Sequence, residues 1–173
     1  NFGRIIIMSL IKSLGKNPSG KRLERIKQSP NYKNNAFQNL SHTDQLSKDT
    51  SYAKIMKDNF NKSKNAEPKK ILPFVKIDLH AIHSEEPVIV WFGHSSYLLK
   101  INGKTILVDP VFSGNASPFS FMIKAFKGAD EYKAEQMPEI DLLLLTHDHY
   151  DHLDYKTLKL LRSKIKQIYC PLG

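Results

Sequence analysis

A chain of 173 residues has room for one ordinary domain and a tail. Its net charge of +9 sits in one segment: residues 1–70 carry 15 Lys and Arg against 5 Asp and Glu, whereas residues 71–173 carry 11 against 12. The single cysteine, Cys170, excludes an internal disulfide. The apolar run at residues 5–11 is too short for a bilayer span, which needs about 20 residues.

The chain starts at Asn1 and stops at Gly173 just after an apolar run, so both ends read as cut. Residues 1–14 read either as the remnant of a clipped signal or anchor, or as read-through ahead of a native start at Met8. The compartment follows that choice: cytoplasmic or membrane-associated in one case, periplasmic in the other. Residues 15–70 are polar, rich in Lys, Asn and Ser, and show no sustained period. Together residues 1–70 form a basic arm, with short helices expected at Lys21–Lys27 and Tyr52–Phe60. Such charge asymmetry suits a polyanionic partner, and equally a solvated, irregular tail.

From Val88 the pattern changes, and residues 71–173 read as an α/β domain. "VIVWF" (88–92) predicts a buried strand. "SYLLKI" (96–101) and "KTILVD" (104–109) flank Asn102-Gly103, a pair that supplies the two positive-φ positions of a tight hairpin turn. "DPVFSGNASPFSFMIKAFKG" (109–128) is a long apolar excursion. Its Phe119, Phe121, Met122, Ile123 and Phe126 suit either core packing or contact with an interfacial substrate. "IDLLLLT" (140–146) is a continuous apolar run, as in a strand buried on both faces. Asp154 is placed to cap a helix over Tyr155–Ser163, with Leu158, Leu161 and Ile165 on one side. "KQIYCP" (166–171) predicts the next strand.

Three of the seven histidines fall within "HDHYDH", residues 147–152, at the carboxyl end of the leucine run. Ligand sites form at such strand ends because loops converge there on a rigid base. Imidazole nitrogens and carboxylate oxygens are the ligands of hydrolytic zinc. His147 and His149, two apart, project to one side of an extended segment and can share a metal. Asp151 and His152 follow where the chain turns and can serve a second. Two metals about 3.5–4 Å apart can stabilise both the attacking and the leaving oxygen of a displacement. Asp148, between the two histidines, should point away. His42, His80 and His83 lack partners at ligand spacing and read as ordinary surface residues.

"THDHYDH" resembles the H-x-H-x-D-H signature of the metallo-β-lactamase superfamily. "WFGHSSYLLKINGKTILVDPVF" followed by "MPEIDLLLLTHDHYDHLD" is similar to the branch containing N-acylphosphatidylethanolamine-hydrolysing phospholipase D and its bacterial relatives. The arm segment "SGKRLERIKQSPNYKNNAFQN" is also similar to those relatives. The resemblance covers about residues 15–173. It implies the first half of an αββα sandwich, preceded by the basic arm, and a site for two zinc ions. By position, His147 and His149 resemble ligands of the first zinc. Asp151 resembles a ligand of the second that also orients the nucleophilic water, and is thus the candidate catalytic residue. His152 resembles a further ligand of that zinc. Asp109 resembles the buried aspartate beneath the metal loop, and otherwise reads as a strand-end turn residue. His94, in the "GHSS" turn, reads either as a group behind the metals or touching substrate, or as a structural turn histidine.

The family pattern also requires a third histidine for the first zinc, a bridging aspartate and a final histidine. None follows His152 in this sequence. The chain therefore reads as carrying about half of a dinuclear site, with zinc binding weak and phosphodiesterase activity absent for residues 1–173 alone. For the complete protein the implied activity is hydrolysis of a phosphodiester, with a phospholipid or similar amphiphile as substrate and an anionic membrane surface meeting the arm. A nuclease-like hydrolase with the arm on nucleic acid is the competing reading, though the arm lacks an aromatic-interleaved stacking pattern. An inactive fragment or binding module is the third. The oligomeric state is not legible.

Overall fold

The computed structural model describes residues 15–44, 46–61, 63–117 and 123–172. They divide into two compact units, one built on Lys16–Pro68 and the other on Lys69–Pro171.

The first unit holds helix α1 (Lys21–Lys27), a two-residue hairpin of β1 (Tyr32–Lys33) and β2 (Ala36–Phe37), and helix α2 (Tyr52–Phe60). Both helices occupy the ranges expected from sequence. The hairpin was not anticipated. Its turn is Asn34-Asn35, with φ of 54° and 59°, and asparagine tolerates that left-handed region better than most residues. Tyr32 and Phe37 pair edge to face across it, with ring centroids 5.2 Å apart. Helix α2 begins at Ser51, whose hydroxyl accepts from the Lys54 N–H at 3.2 Å, the usual role of an N-cap.

The second unit is organised by a five-stranded sheet in the order β3-β4-β5-β6-β7, comprising Val88–Gly93, Ser96–Ile101, Lys104–Val108, Ile140–Leu144 and Ile165–Tyr169. Strands β3, β4 and β5 form an antiparallel meander, while β6 and β7 run parallel to β5 and to each other. The β4–β5 turn is Asn102-Gly103 with φ of 48° and 70°, as its sequence demands. Helix α3 (Tyr155–Leu161) makes the β6–β7 crossover. The α-helix stops two residues short of the expected end and tightens into a 3-10 turn at Arg162–Lys164. Strand β6 ends at Leu144, because Thr146 turns to bond Asp109 rather than continuing the ladder. Strand β7 lies one to two residues earlier than its sequence suggested.

Leu98, Leu107, Leu143 and Leu161 are fully buried, and Leu158 and Ile165 pack against them. A fully buried leucine contributes about 1.5–3 kcal/mol relative to exposure, and Leu98, Leu107 and Leu143 lie side by side across β4, β5 and β6, so their burial fixes the register. Phe92, Phe112 and Tyr132 close one end of this core with ring centroids 5.3 and 4.9 Å apart. The Tyr132 hydroxyl accepts from the Ile77 N–H at 2.8 Å, tying the extended 71–82 segment to the domain. Gly128 has φ of +90°, and a Cβ there would lie 2.3 Å from the Leu72 carbonyl oxygen, so only glycine fits that approach. On the other side of the sheet, Ile89, Trp91 and Tyr169 are exposed.

Of the apolar excursion, Ile123 and Phe126 are exposed and so are not core residues. Phe119, Phe121 and Met122 lie outside the described residues, as do residues 1–14. Among the described residues, no helix is long and apolar enough to cross a membrane.

Candidate metal centre

The site loop begins where β6 ends and runs to Asp154. Its conformation is set by one buried carboxylate. Asp109 is 1% exposed and closes β5 in the left-handed region, with φ of 41°. Its Oδ1 accepts from the Thr146 N–H at 2.8 Å, and its Oδ2 from the Thr146 hydroxyl at 2.6 Å. The same Oδ2 lies 2.8 Å from His152 Nδ1. The Ser96 hydroxyl donates to the Asp109 carbonyl at 2.6 Å and accepts from the Val111 N–H. A non-glycine residue at positive φ is strained by about 1–3 kcal/mol and persists only when its surroundings hold it. Here five hydrogen bonds do so, the fifth donated by the Asp109 N–H to the Leu144 carbonyl at 3.0 Å.

These bonds also settle ring orientation. His152 donates from Nδ1 to Asp109, which leaves its Nε2 lone pair on the side of Asp151, whose Oδ2 is 3.9 Å away. The Thr146 hydroxyl gives its proton to Asp109, so its oxygen is free to accept from His147 Nδ1, 3.0 Å away. His147 then also presents Nε2, which lies 3.2 Å from His149 Nδ1. The His147 ring sits 4.6 Å from that of His149 and 3.8 Å from that of His152, centroid to centroid. The loop therefore brings all three histidines together.

Asp151 completes the group. Its Oδ2 is 2.9 Å from His94 Nε2 and 3.9 Å from His152 Nε2. Burial alone would raise the Asp151 carboxyl. Its own backbone N–H, the electrostatic attraction of the neighbouring His152 and His94 rings and the His94 hydrogen bond outweigh that and hold it below the ordinary carboxylate value. Asp148 is exposed, at the rim of a depression of about 360 Å³ that His149, Tyr150, Asp151, Ala116 and Ile123 also line. A larger depression, about 490 Å³, lies beside Lys100, Lys104 and His83 and contains none of the candidate ligands. The smaller one is the better substrate site because it opens on His149 and Asp151. His42 and His80 are exposed and remote from the cluster in sequence and hydrogen bonding.

The loop leaves through Asp154, which caps α3. Its Oδ1 accepts from the N–H groups of Lys156 and Thr157. Its Oδ2 accepts from the Thr157 hydroxyl at 2.7 Å and the Ser113 N–H at 2.9 Å. Thr157 Oγ1 in turn accepts from the Phe112 N–H. One capping residue thus fixes both the helix start and the chain leaving β5. Sequence reasoning identified that cap, but it missed Thr146, Ser96 and Thr157 as supports. A hydroxyl directly before the first histidine was the only local sign.

The donors suit a divalent transition-metal ion. Two imidazole nitrogens each about 2.0–2.1 Å from a shared tetrahedral ion lie about 3.3 Å apart. The His147–His149 nitrogens stand at 3.2 Å. His94, Asp151 and His152 form a second group, with ligand atoms all within 4.8 Å of one another.

Residues 88–168 match the model of the Beta-lactamase superfamily domain. This segment is therefore similar to the metallo-β-lactamase superfamily. An uncharacterized protein of Mycobacterium tuberculosis is 30% identical over 148 residues, which is 84% of this chain and 40% of that protein. The chain therefore spans well under half the length of the mycobacterial relatives it matches. The N-acyl-phosphatidylethanolamine-hydrolyzing phospholipase D 1 of Caenorhabditis elegans is 34% identical over 105 residues, covering 59% of this chain and 30% of that enzyme. A protein of Methylobacterium nodulans described as a UPF0173 metal-dependent hydrolase is 37% identical over 65 residues, 38% of this chain and 24% of its own length. The five-stranded α/β sheet agrees with a metallo-β-lactamase fold, and the matched range contains the histidine cluster described above.

Proposed function

We propose that the protein is a zinc-dependent hydrolase of phosphodiesters, of the N-acylphosphatidylethanolamine phospholipase D kind, acting on a phospholipid or similar amphiphile. The observation that carries this reading is the convergence of His147, His149, Asp151 and His152 at the carboxyl end of β6, braced from behind by Asp109. Divalent ions held there would polarise phosphoryl oxygens and lower the pKa of an attacking water. Asp151, kept ionised, would accept a hydrogen bond from that water and orient it. His152 and His147 keep their Nε2 lone pairs outward because Asp109 and Thr146 take their other ring nitrogens.

Two features favour an amphiphilic substrate. Ala116, Ile123 and Tyr150 give the depression beside Asp151 an apolar wall. Separately, α2 exposes Tyr52, Met56 and Phe60, four residues apart, with Lys54 and Lys57 among them. Aromatic and aliphatic side chains enter the acyl boundary, while lysines attract anionic headgroups. The two relatives named as hydrolases are consistent with this chemistry.

The test is to load the native polypeptide with zinc and assay it on vesicles of N-acylphosphatidylethanolamine, on bis-p-nitrophenyl phosphate and on RNA. Phosphatidic acid release, abolished by a chelator and restored by zinc, is the expected result. Cleavage of RNA with no lipid turnover would move the reading to a nuclease. A protein that binds no divalent ion would end it.

A further inference from the structure

The β3–β4 turn is built at some cost, and it delivers one side chain. The register between the two strands slips between Trp91 and Gly93. Gly93 then takes φ of +112°, with its Cβ position only 3.2 Å from the Ala129 carbonyl oxygen. His94 follows at φ of 47°, a conformation strained for any residue with a side chain. The Trp91 indole N–H donates to the His94 carbonyl at 2.9 Å and holds the turn in that shape. A glycine or asparagine would occupy this position with less strain, so turn formation alone does not explain a histidine here.

The side chain ends at the metal loop. His94 Nε2 stands 2.9 Å from Asp151 Oδ2, and the His94 ring meets the His152 ring edge to face at 5.2 Å. His152 Nδ1 is occupied by Asp109, so the nitrogen it turns toward His94 and Asp151 is the one able to bind a cation. The three groups come from two separate parts of the chain, the β3–β4 turn and the loop after β6. They leave one side open, since the His94 side chain is 61% exposed.

We propose that His94 is itself a metal ligand, forming with Asp151 and His152 a two-nitrogen, one-oxygen set for the ion beside that held by His147 and His149. Three protein ligands with an open position is the arrangement of a catalytic zinc. This rests on the reading that the cluster binds metal at all, and it assigns His94 to the ion rather than to Asp151 alone. Trp91 is then a positioning residue, acting through the backbone of the turn.

The experiment uses the native polypeptide titrated with cobalt(II), following metal content and the visible absorption bands of the bound ion, in the original and in His94→Gly, His147→Gln and Trp91→Phe. His94→Gly should unfold no more easily than the original without metal, because glycine relieves the positive φ. It should nonetheless bind one of the two ions more than about tenfold more weakly, with loss of its absorption bands, a loss of the size that even supporting groups of metal sites produce. His147→Gln should weaken the other ion. Trp91→Phe should act in the direction of His94→Gly, with a smaller effect. If His94→Gly leaves the absorption bands of both bound ions unchanged, whatever its effect on affinity, His94 only supports Asp151 and the proposal is wrong, while the metal reading stands. If the original binds no cobalt, both fail together.

Discussion

Two aspartates tie the parallel strands β5 and β6 together, one at each end of the pair. At the carboxyl end, Asp109 takes its bonds from Thr146 and His152 and is almost wholly buried. At the amino end, Asp141 accepts from the Thr105 N–H at 3.0 Å and from Lys166 Nζ at 2.8 Å, with its side chain 20% exposed. The two carboxylates do similar mechanical work. They differ in partner and in solvent. A lysine at the wet end satisfies Asp141 and goes no further. An imidazole and a hydroxyl at the dry end pass the constraint of Asp109 on to three histidines. The same device is structural at one end of the sheet and functional at the other.

Removing Asp109 should produce the largest effect in the molecule. Asp109→Ala leaves the Thr146 N–H, the Thr146 hydroxyl and His152 Nδ1 without their acceptor; Thr146 can turn to water, whereas the mostly buried His152 and the loss of three bonds to a charged group, each about 1.5–3 kcal/mol, cannot be made good by solvent alone. A loss of roughly 3 kcal/mol or more in urea unfolding is expected. Asp109→Asn tolerates the same φ and keeps one acceptor, so it should lose about half as much. Both variants should bind zinc about 10–100-fold more weakly. If Asp109→Asn keeps full metal affinity, the carboxylate does not orient the histidines and the contrast between the two ends disappears.

Asp154 should rank second. Asp154→Ala removes the N-cap of α3 and the acceptor for Ser113, at about 1–3 kcal/mol together. Because the helix start and the chain after β5 move as one, metal affinity should fall by less than in Asp109→Asn. Asp154→Asn, a good cap, should recover most of the stability. Equal metal losses in Asp109→Asn and Asp154→Ala would mean that the whole loop, rather than one carboxylate, sets the site.

How much of this could be seen in the sequence follows from distance along the chain. The Asn102-Gly103 turn, the Asp154 cap and both helices of the basic unit are local features, and each was legible. So was the histidine cluster, because residues 147–152 are neighbours in sequence. Its supports were less visible. Thr146 and Ser96 act through Asp109, and nothing local marks a serine or threonine as a partner of a distant carboxylate. The nearness of His94 to Asp151 spans 57 positions and depends on a register slip that alternation does not announce. The β1–β2 hairpin was hidden by composition: its strands are two residues long and lie in a polar segment, where period-two reasoning has nothing to count.

The Asp141–Lys166 pair should give the smallest effect and the clearest dependence on pH. The Lys166 hydrogen bond, then the Thr105 N–H, hold the Asp141 carboxyl below its ordinary value of 3.8 against an opposing burial effect. The Asp141 hydrogen bond and charge likewise hold the Lys166 ammonium above 10.5. A depressed carboxyl stabilises the fold above its unfolded value, and that contribution is lost as pH falls through the lower folded value. A raised ammonium stabilises below its unfolded value, and that contribution is lost as pH climbs through the higher folded one. The difference in unfolding free energy between the original and Lys166→Met should therefore be constant from above pH 3.8 to below pH 10.5 and shrink on either side. It should also shrink with added salt, since both side chains reach water and ions screen exposed pairs. Urea titrations of the two proteins at acid, neutral and alkaline pH measure it. A difference that persists unchanged at pH 2 and in molar salt would show that the Lys166 stem packs rather than pairs, and that the wet end of β5–β6 is held by something other than its charges.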